Sequence, residues 1–456
     1  MLQQAFVDLS TSHLIFFILA IIGVCAFEFV NGFHDTANAV ATVIYTRSLK
    51  PVVAVIWSGV WNFLGVWSGI ALVATSIISL LPVGDMMGMT EWENITIVFA
   101  VIITAITWNL LTWYYGIPCS SSHTLIGSML GVGMAFFWTH GGNGINWNKA
   151  KDIGMALLVS PALGFSLVIL ILFFLKYVIR NKEIFKDPAQ NENRPPVWWV
   201  RGILLITCTM VSFFHGKNDG QKGIGILMIV FLVMLPGYYA LNPNMNMDRL
   251  KEAVHKMKDA SMEYQQNPEH TMYAKPLGVL DNLVQDFDSL DPNNKEQKLQ
   301  IRKNIQTFSK SAKAMLDDPE FLKDDAKRKE FKKALHTLSL GSDYTPVEAM
   351  LLISLSLGFG TMVGWKRIVI TIGEKIGKSH LTYAQGAAAE LAAATTIASA
   401  SSLGLPVSTT HVLSSGVAGS MVGMGGVKNL QRSTVAAIAS AWVLTLPVTF
   451  LGAMLL

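Results

Sequence analysis

Two short polar motifs each occur twice in this 456-residue chain. The first is Asn31-Gly32-Phe33-His34-Asp35-Thr36-Ala37-Asn38-Ala39, answered by Phe214-His215-Gly216-Lys217-Asn218-Asp219-Gly220-Gln221-Lys222-Gly223. Aligning Gly32 with Gly216 sets Asp35 on Asp219. The second is Pro118-Cys119-Ser120-Ser121-Ser122-His123-Thr124-Leu125, answered by Pro406-Val407-Ser408-Thr409-Thr410-His411-Val412-Leu413. Both aspartates are flanked by sequence apolar enough for lipid, and an ionisable residue inside a membrane segment marks function by default. An interhelical hydrogen bond or ion pair is the competing reading. It weakens when two aspartates fall at repeat-equivalent places.

The spacing says what these groups could do. Asp35 and Asn38 are three apart, as are Asp219 and Lys222, so each pair shares a face if the backbone is helical. Asn218 and Gln221 add further polar groups to the second motif. If each Ser/Thr run opens a helix, its N–H groups and dipole favour an anion. The hydroxyls of Ser120, Ser121, Ser122, Ser408, Thr409 and Thr410 donate without adding charge, which suits an anion that must also leave. Ordinary capping and helix packing is the alternative for such hydroxyls. His123 and His411 could orient the hydroxyls, relay protons or bond to the backbone. His34, Glu28 and Glu390 are further proton candidates, and a neutral, hydrogen-bonded carboxyl is the other option for each Glu.

Two carboxylates beside a bound oxyanion repel it, and desolvating unpaired charge costs several kcal/mol per ion. Cations must therefore share the site: protons, sodium, a divalent metal carried with the anion, or a fixed cation such as Lys222. That is a physical argument for symport.

The elements that hold these residues are membrane helices. Hydrophobic residues make up 51% of the chain and charged residues 14%, against about 25% charged in a soluble domain. The small net charge of +4 gives no basic face for a nucleic acid. Apolar stretches at 12–31, 51–81, 94–115, 153–179, 198–214, 222–240, 346–364, 380–402 and 433–456 approach or exceed the roughly 20 residues a spanning helix needs. The stretches 118–138 and 406–424, rich in Gly, Ser and Thr, read as re-entrant hairpins or broken helices, tolerated at membrane depth only where they line a cavity or pack within protein. The first apolar run has no basic residue before it, so it reads as a permanent helix rather than a cleaved signal.

Residues 241–345 hold 17 Lys+Arg and 17 Asp+Glu. They read as a soluble helical insert with helices at 248–264 and 294–338 and Asp-Pro breaks after Asp291 and Asp318, behaving as a solvated linker. Asp35 and His123 are 88 positions apart and Asp219 and His411 are 192 apart, a difference of 104 that nearly equals the insert. The expected domains are therefore a first repeat at 1–180, a second at 198–240 with 346–456, and the insert between. Six basic residues at 176, 180, 182, 186, 194 and 201 place the 176–201 loop in the cytoplasm, and the acidic 82–93 loop outside. The fold expectation is an all-α polytopic membrane protein of about ten to twelve segments. Its matched, Gly/Pro-interrupted halves point to a transporter site, inverted repeats being the commoner arrangement.

The motifs closely resemble those of the inorganic phosphate transporter (PiT) family, whose signature is a duplicated Gly-Ala-Asn-Asp-Val-Ala-Asn-Ala-like element, each copy followed by a Pro-x-Ser-x-x-His hairpin. All four elements are in register, and the forms around Asp35 and Asp219 look like the bacterial low-affinity Pit branch. The resemblance implies an inner-membrane secondary carrier with inverted repeats, in which Asp35, Asp219, Asn38 and Asn218 match phosphate- and cation-site positions. Ser120 to Ser122 and Ser408 to Thr410 match the hairpin tips. His34 and Lys222 depart from the sodium-coupled pattern, each standing where that pattern has an Asn. An ammonium cannot ligate sodium, so the expectation is proton coupling, with a metal–phosphate complex carried by alternating access. Sodium-coupled phosphate, sulfate or arsenate transport is the runner-up, and a second copy of the chain as partner stays open. A membrane hydrolase using Ser122 and His123 is the remote alternative, because neighbours in sequence seldom face each other as nucleophile and base. There is no GxSxG elbow and no HExxH. Cys25, Cys119 and Cys208 form no CxxC pair and no metal-ligand spacing and read as small apolar fillers; no cofactor is expected.

Overall fold

The computed structural model describes residues 10–69, 71–142, 144–188, 195–266, 271–291, 294–371 and 375–456. Arg194 of the basic loop therefore lies outside the described residues. Among those described the chain is helical, with one isolated bridge between Gly377 and Leu430 and no strand. The first half runs α1 (Thr11–Tyr45), α2 (Pro51–Trp67), α3 (Leu72–Ile78), α4 (Glu91–Tyr114), α5 (Ser121–His140) and α6 (Trp147–Val178). The second begins with α7 (Trp198–Met234). The insert supplies α8 (Met247–Gln266), α9 (Thr271–Asp288), α10 (Lys295–Asp317) and α11 (Asp325–Ser339). The second half then resumes with α12 (Val347–Thr361), α13 (Tyr383–Ser402), α14 (Thr409–Gly425) and α15 (Arg432–Leu455).

Among the described residues, helices α1, α4, α6, α7 and α15 are each long and apolar enough to cross a membrane, and α2 and α3 together, counted as one broken span, give a sixth. The Ser-, Thr-, Gly- and Ala-rich helices α5, α13 and α14 are mostly buried within the protein. This multi-pass, all-α chain matches the class expected from composition.

Three expectations about segments need correction. The apolar run at 12–31 does not end at the polar motif, because α1 continues through it for 35 residues. The stretch 198–214 and most of 222–240 are one helix of 37 residues, α7, which ends at Met234. The stretch 51–81 breaks after Trp67, and α2 and α3 lie 74° apart. A drop in apolarity is not a break in backbone hydrogen bonding. Where neighbouring helices satisfy the polar side chains, the helix carries on.

Close glycine crossings hold the motif helices. A Cβ on Gly32 would stand 2.6 Å from the Leu357 carbonyl of α12, and one on Gly216 would stand 2.2 Å from the Asn62 carbonyl of α2. Each motif helix thus packs on a short helix of the other half, through a contact only a small residue permits. The same exchange recurs further on: α5 packs on α15, and α14 packs on α6.

The chain forms two compact units. One comprises the described part of Met1–Ile15 with Val83–Glu91 and Val230–Thr345, and the other Phe16–Pro82, Trp92–Ile229 and Pro346–Leu456. In the first, α8 packs on α9 and α11, and α10 on α9 and α11, an up-and-down bundle. Leu277, Leu280, Ile305, Phe308, Phe321 and Phe331 form its closed apolar core. The insert is therefore a folded bundle and not a solvated linker. The sequence reading gave no helix over α9, which carries an internal Pro276. Arg302, buried in this core, donates from Nη1 to the Ala240 and Ser342 carbonyls at 2.9 and 2.7 Å. The entering and leaving segments of the insert are thereby tied to α10.

Candidate functional site

Both Ser/Thr runs do open helices. Ser120 caps α5, its Oγ accepting from the His123 N–H, and Ser408 caps α14, accepting from the His411 N–H at 3.1 Å in each case. The two N-termini meet: the imidazole rings of His123 and His411 lie 4.5 Å apart, and His411 stacks on Trp442 at 3.9 Å. Positive dipole ends and hydroxyls from both halves therefore face one buried locus, a pairing that favours an anion.

Asp35, mid-helix in α1, stands at that locus. It accepts from Ser121 at 3.1 Å, from Thr409 at 3.5 Å, and from Thr410. Asn38, one turn on, donates to Thr410 Oγ1 at 3.0 Å. One carboxylate thus gathers hydroxyls from both tips.

Asp219 on α7 is neutralised differently. Its Oδ1 lies 2.8 Å from Lys222 Nζ, one turn along the same helix. The Lys222 ammonium also donates to Ser122 Oγ and, at 2.9 Å, to the Val407 carbonyl. Ser122 in turn donates to the same Val407 carbonyl at 2.8 Å. Lys222 therefore fastens Asp219 to both tips. Asn218 accepts from the Val407 N–H at 3.2 Å and donates to Ser401 and to the Leu405 carbonyl, holding the approach to the second tip.

Other expected residues go elsewhere. Gln221 turns to the break between α2 and α3, where its Oε1 accepts from the Val73 N–H at 2.8 Å. Glu390 accepts from Thr207 at 2.5 Å. Glu28 accepts from Asn31 at 3.2 Å, and its carboxyl abuts Gly223, the residue after Lys222. His34 lies 3.5 Å from Asp35 and contacts Thr112 at 3.3 Å. Ser122 and His123 form no nucleophile–base pair: the His123 ring meets Ser120 at 2.8 Å, while Ser122 bonds to Val407.

His215 was missed as a site residue. Its Nε2 lies 3.7 Å from Asp35 Oδ2 and 3.6 Å from Asp219 Oδ2, joining the two half-sites. The signal was present in the second motif, where His215 and Asp219 are four apart on one helix face. Asn62, whose Oδ1 meets His215 Nδ1 at 2.8 Å, carried no sequence signal, because it reaches the site only through the crossing of α2 with α7.

The fold and the site together define a multi-pass membrane transporter that brings two acids, one fixed cation and two hydroxyl-lined helix ends to one buried point. The comparisons with known proteins say which kind. Residues 31–453 match the phosphate transporter family, and the chain belongs to that family. The low-affinity inorganic phosphate transporter PitA of Escherichia coli (strain K12) is 37% identical over 487 residues, covering 97% of this chain and 96% of that protein. The low-affinity inorganic phosphate transporter of Buchnera aphidicola subsp. Acyrthosiphon pisum (strain APS) is 38% identical over 475 residues, with the same coverage. A solved structure of the sodium-dependent phosphate transporter shares the fold, with TM-score 0.55 and 22% identity over 96% of this chain and 97% of that one. The chain is a multi-pass protein of the bacterial inner membrane and, like its relatives, a transporter and not an enzyme.

Proposed function

We propose that the chain is a symporter that imports inorganic phosphate by alternating access, with protons as the coupling ion and a metal–phosphate complex as the transported species. Low-affinity phosphate transport is what the curated relatives are named for, and the observation that carries the finer reading is Lys222. Its ammonium has three oxygen partners, from Asp219, Ser122 and the Val407 carbonyl. Such an oxygen cage would suit a sodium ion, and here a tethered cation fills it. Glu28, at the foot of this cage, and His34, beside Asp35, are the proton carriers of this reading. The two halves act as inverted repeats, a reading supported by their common order of elements and by the exchanged packing of motif helices and tips.

The test is phosphate uptake into proteoliposomes with pH and sodium gradients imposed separately. Uptake should follow the inward proton gradient and ignore sodium. Uptake that needs sodium and survives collapse of the pH gradient favours the sodium-coupled alternative, which the neighbour's name keeps in view. Sulfate or arsenate competing as well as unlabelled phosphate favours a general tetrahedral-oxyanion carrier.

A further inference from the structure

We propose that Asp35, His215 and Asp219 bind one divalent metal ion of the imidazole-accepting kind, manganese, zinc or cobalt, with Asn62 as the positioning residue for the histidine ring. The inference rests on the metal–phosphate reading above and assigns the residues that hold the metal.

Geometry carries it. The three residues each offer a ligand atom, and these atoms all lie within 4.8 Å of one another. All three side chains are buried, and His215 is 2% exposed. His215 Nε2 has no hydrogen-bond partner. At 3.6 and 3.7 Å from two carboxylate oxygens it is too far for a hydrogen bond. Two donors each about 2.1 Å from one ion can lie up to about 4.2 Å apart, and about 3.4 Å apart in a tetrahedral arrangement. The separations of His215 Nε2 from the two carboxylates fall within that range.

The tautomer is fixed from behind. Asn62 donates through Nδ2 to Thr361 Oγ1 at 3.1 Å, while Thr361 donates onward to the Leu357 carbonyl at 2.8 Å. The Asn62 carbonyl oxygen is thereby turned to His215 Nδ1 at 2.8 Å, so Nδ1 carries the proton. The Nε2 lone pair then faces the two carboxylates. A ligating histidine held by a hydrogen bond through its other nitrogen is the common design of metal sites.

Charge agrees. Asp35 and Asp219 with Lys222 leave one net negative charge in a buried site. A divalent ion reverses it to one net positive charge, and the two hydroxyl-lined helix ends then receive a phosphate without repulsion. An imidazole nitrogen selects against sodium and calcium, which prefer oxygen.

Manganese(II) is the probe, added without phosphate to the purified full-length protein in lipid nanodiscs. Electron spin-echo spectroscopy should show coupling to one histidine nitrogen. His215→Gln should abolish that coupling, and Asn62→Ala should weaken manganese binding about 10- to 100-fold while the coupling persists at saturation. Binding without nitrogen coupling in the unaltered protein, or no binding, overturns the site whatever the variants do. Phosphate uptake by the same preparations separates the two readings. Nitrogen-coupled manganese with metal-independent uptake sinks metal–phosphate transport and keeps the site. Metal-dependent uptake without nitrogen coupling does the reverse.

Discussion

Asp35 and Asp219 occupy matching places in two long helices, yet their charges are met in opposite ways. Asp35 takes neutral hydroxyls from both tips. Asp219 takes a permanent cation, Lys222, that also ties the tips together. The duplicated scaffold kept the positions of the acids and let their compensation diverge. One half-site holds its charge by groups that can turn to an anion, and the other by a group that cannot leave.

The largest test removes each acid. Asp35→Asn and Asp219→Asn should each abolish most phosphate uptake, with the protein still inserted. Near-normal uptake in either variant would separate that half-site from transport. Lys222→Met sharpens the asymmetry. Leaving Asp219 without its partner should destabilise the protein by about 3–5 kcal/mol, and Asp219→Asn added to it should recover much of that loss. Thermal unfolding in detergent measures both, and a double variant no more stable than the single one breaks the comparison. On the neutral side, Thr410→Ala should cost about 1.5–3 kcal/mol, the usual range for a hydrogen bond to a charged group. A loss as large as that of Lys222→Met would mean the hydroxyl is no lesser partner.

The smallest effect belongs to a carboxylate outside the membrane. Asp318 accepts from the Tyr273 phenol at 2.6 Å. That bond holds the Asp318 carboxyl below its usual range and pushes the phenol up to about 12. The Asp318 share of stability is present above the unfolded value of about 3.9 and is lost as pH falls through the lowered folded value. The Tyr273 share is present below about pH 10 and is lost as pH rises through about 12. Tyr273→Phe should therefore flatten the pH dependence of hydrogen exchange in α10 of the intact protein at both ends. An unchanged acid limb would show that this pair contributes nothing.

The duplicated motifs were readable because membrane burial leaves few reasons for Asp, Lys and Asn in apolar sequence. Their repetition gave Asp35, Asn38, Asn218, Asp219, Lys222 and both tips. Gln221 shows the limit of that logic. It lies in the same motif, but the helix turns it away to cap the broken span at Val73. The folded insert was misjudged for a related reason: its 34 charged residues, balanced in sign, hide the helical spacing of Leu277, Phe308 and Phe331, which only packing makes a core.

Sequence alone determined that this is an all-helical membrane chain and that its polar groups, acids and hydroxyls among them, come in two matched sets. Residue type and local spacing carry those facts. Tertiary structure decided that each motif runs unbroken through one helix, that Lys222 bridges both tips, and that Asn62 aims His215 between the two acids. Those facts depend on which helices cross at Gly32 and Gly216, and contacts between residues far apart in the chain leave no local trace in it.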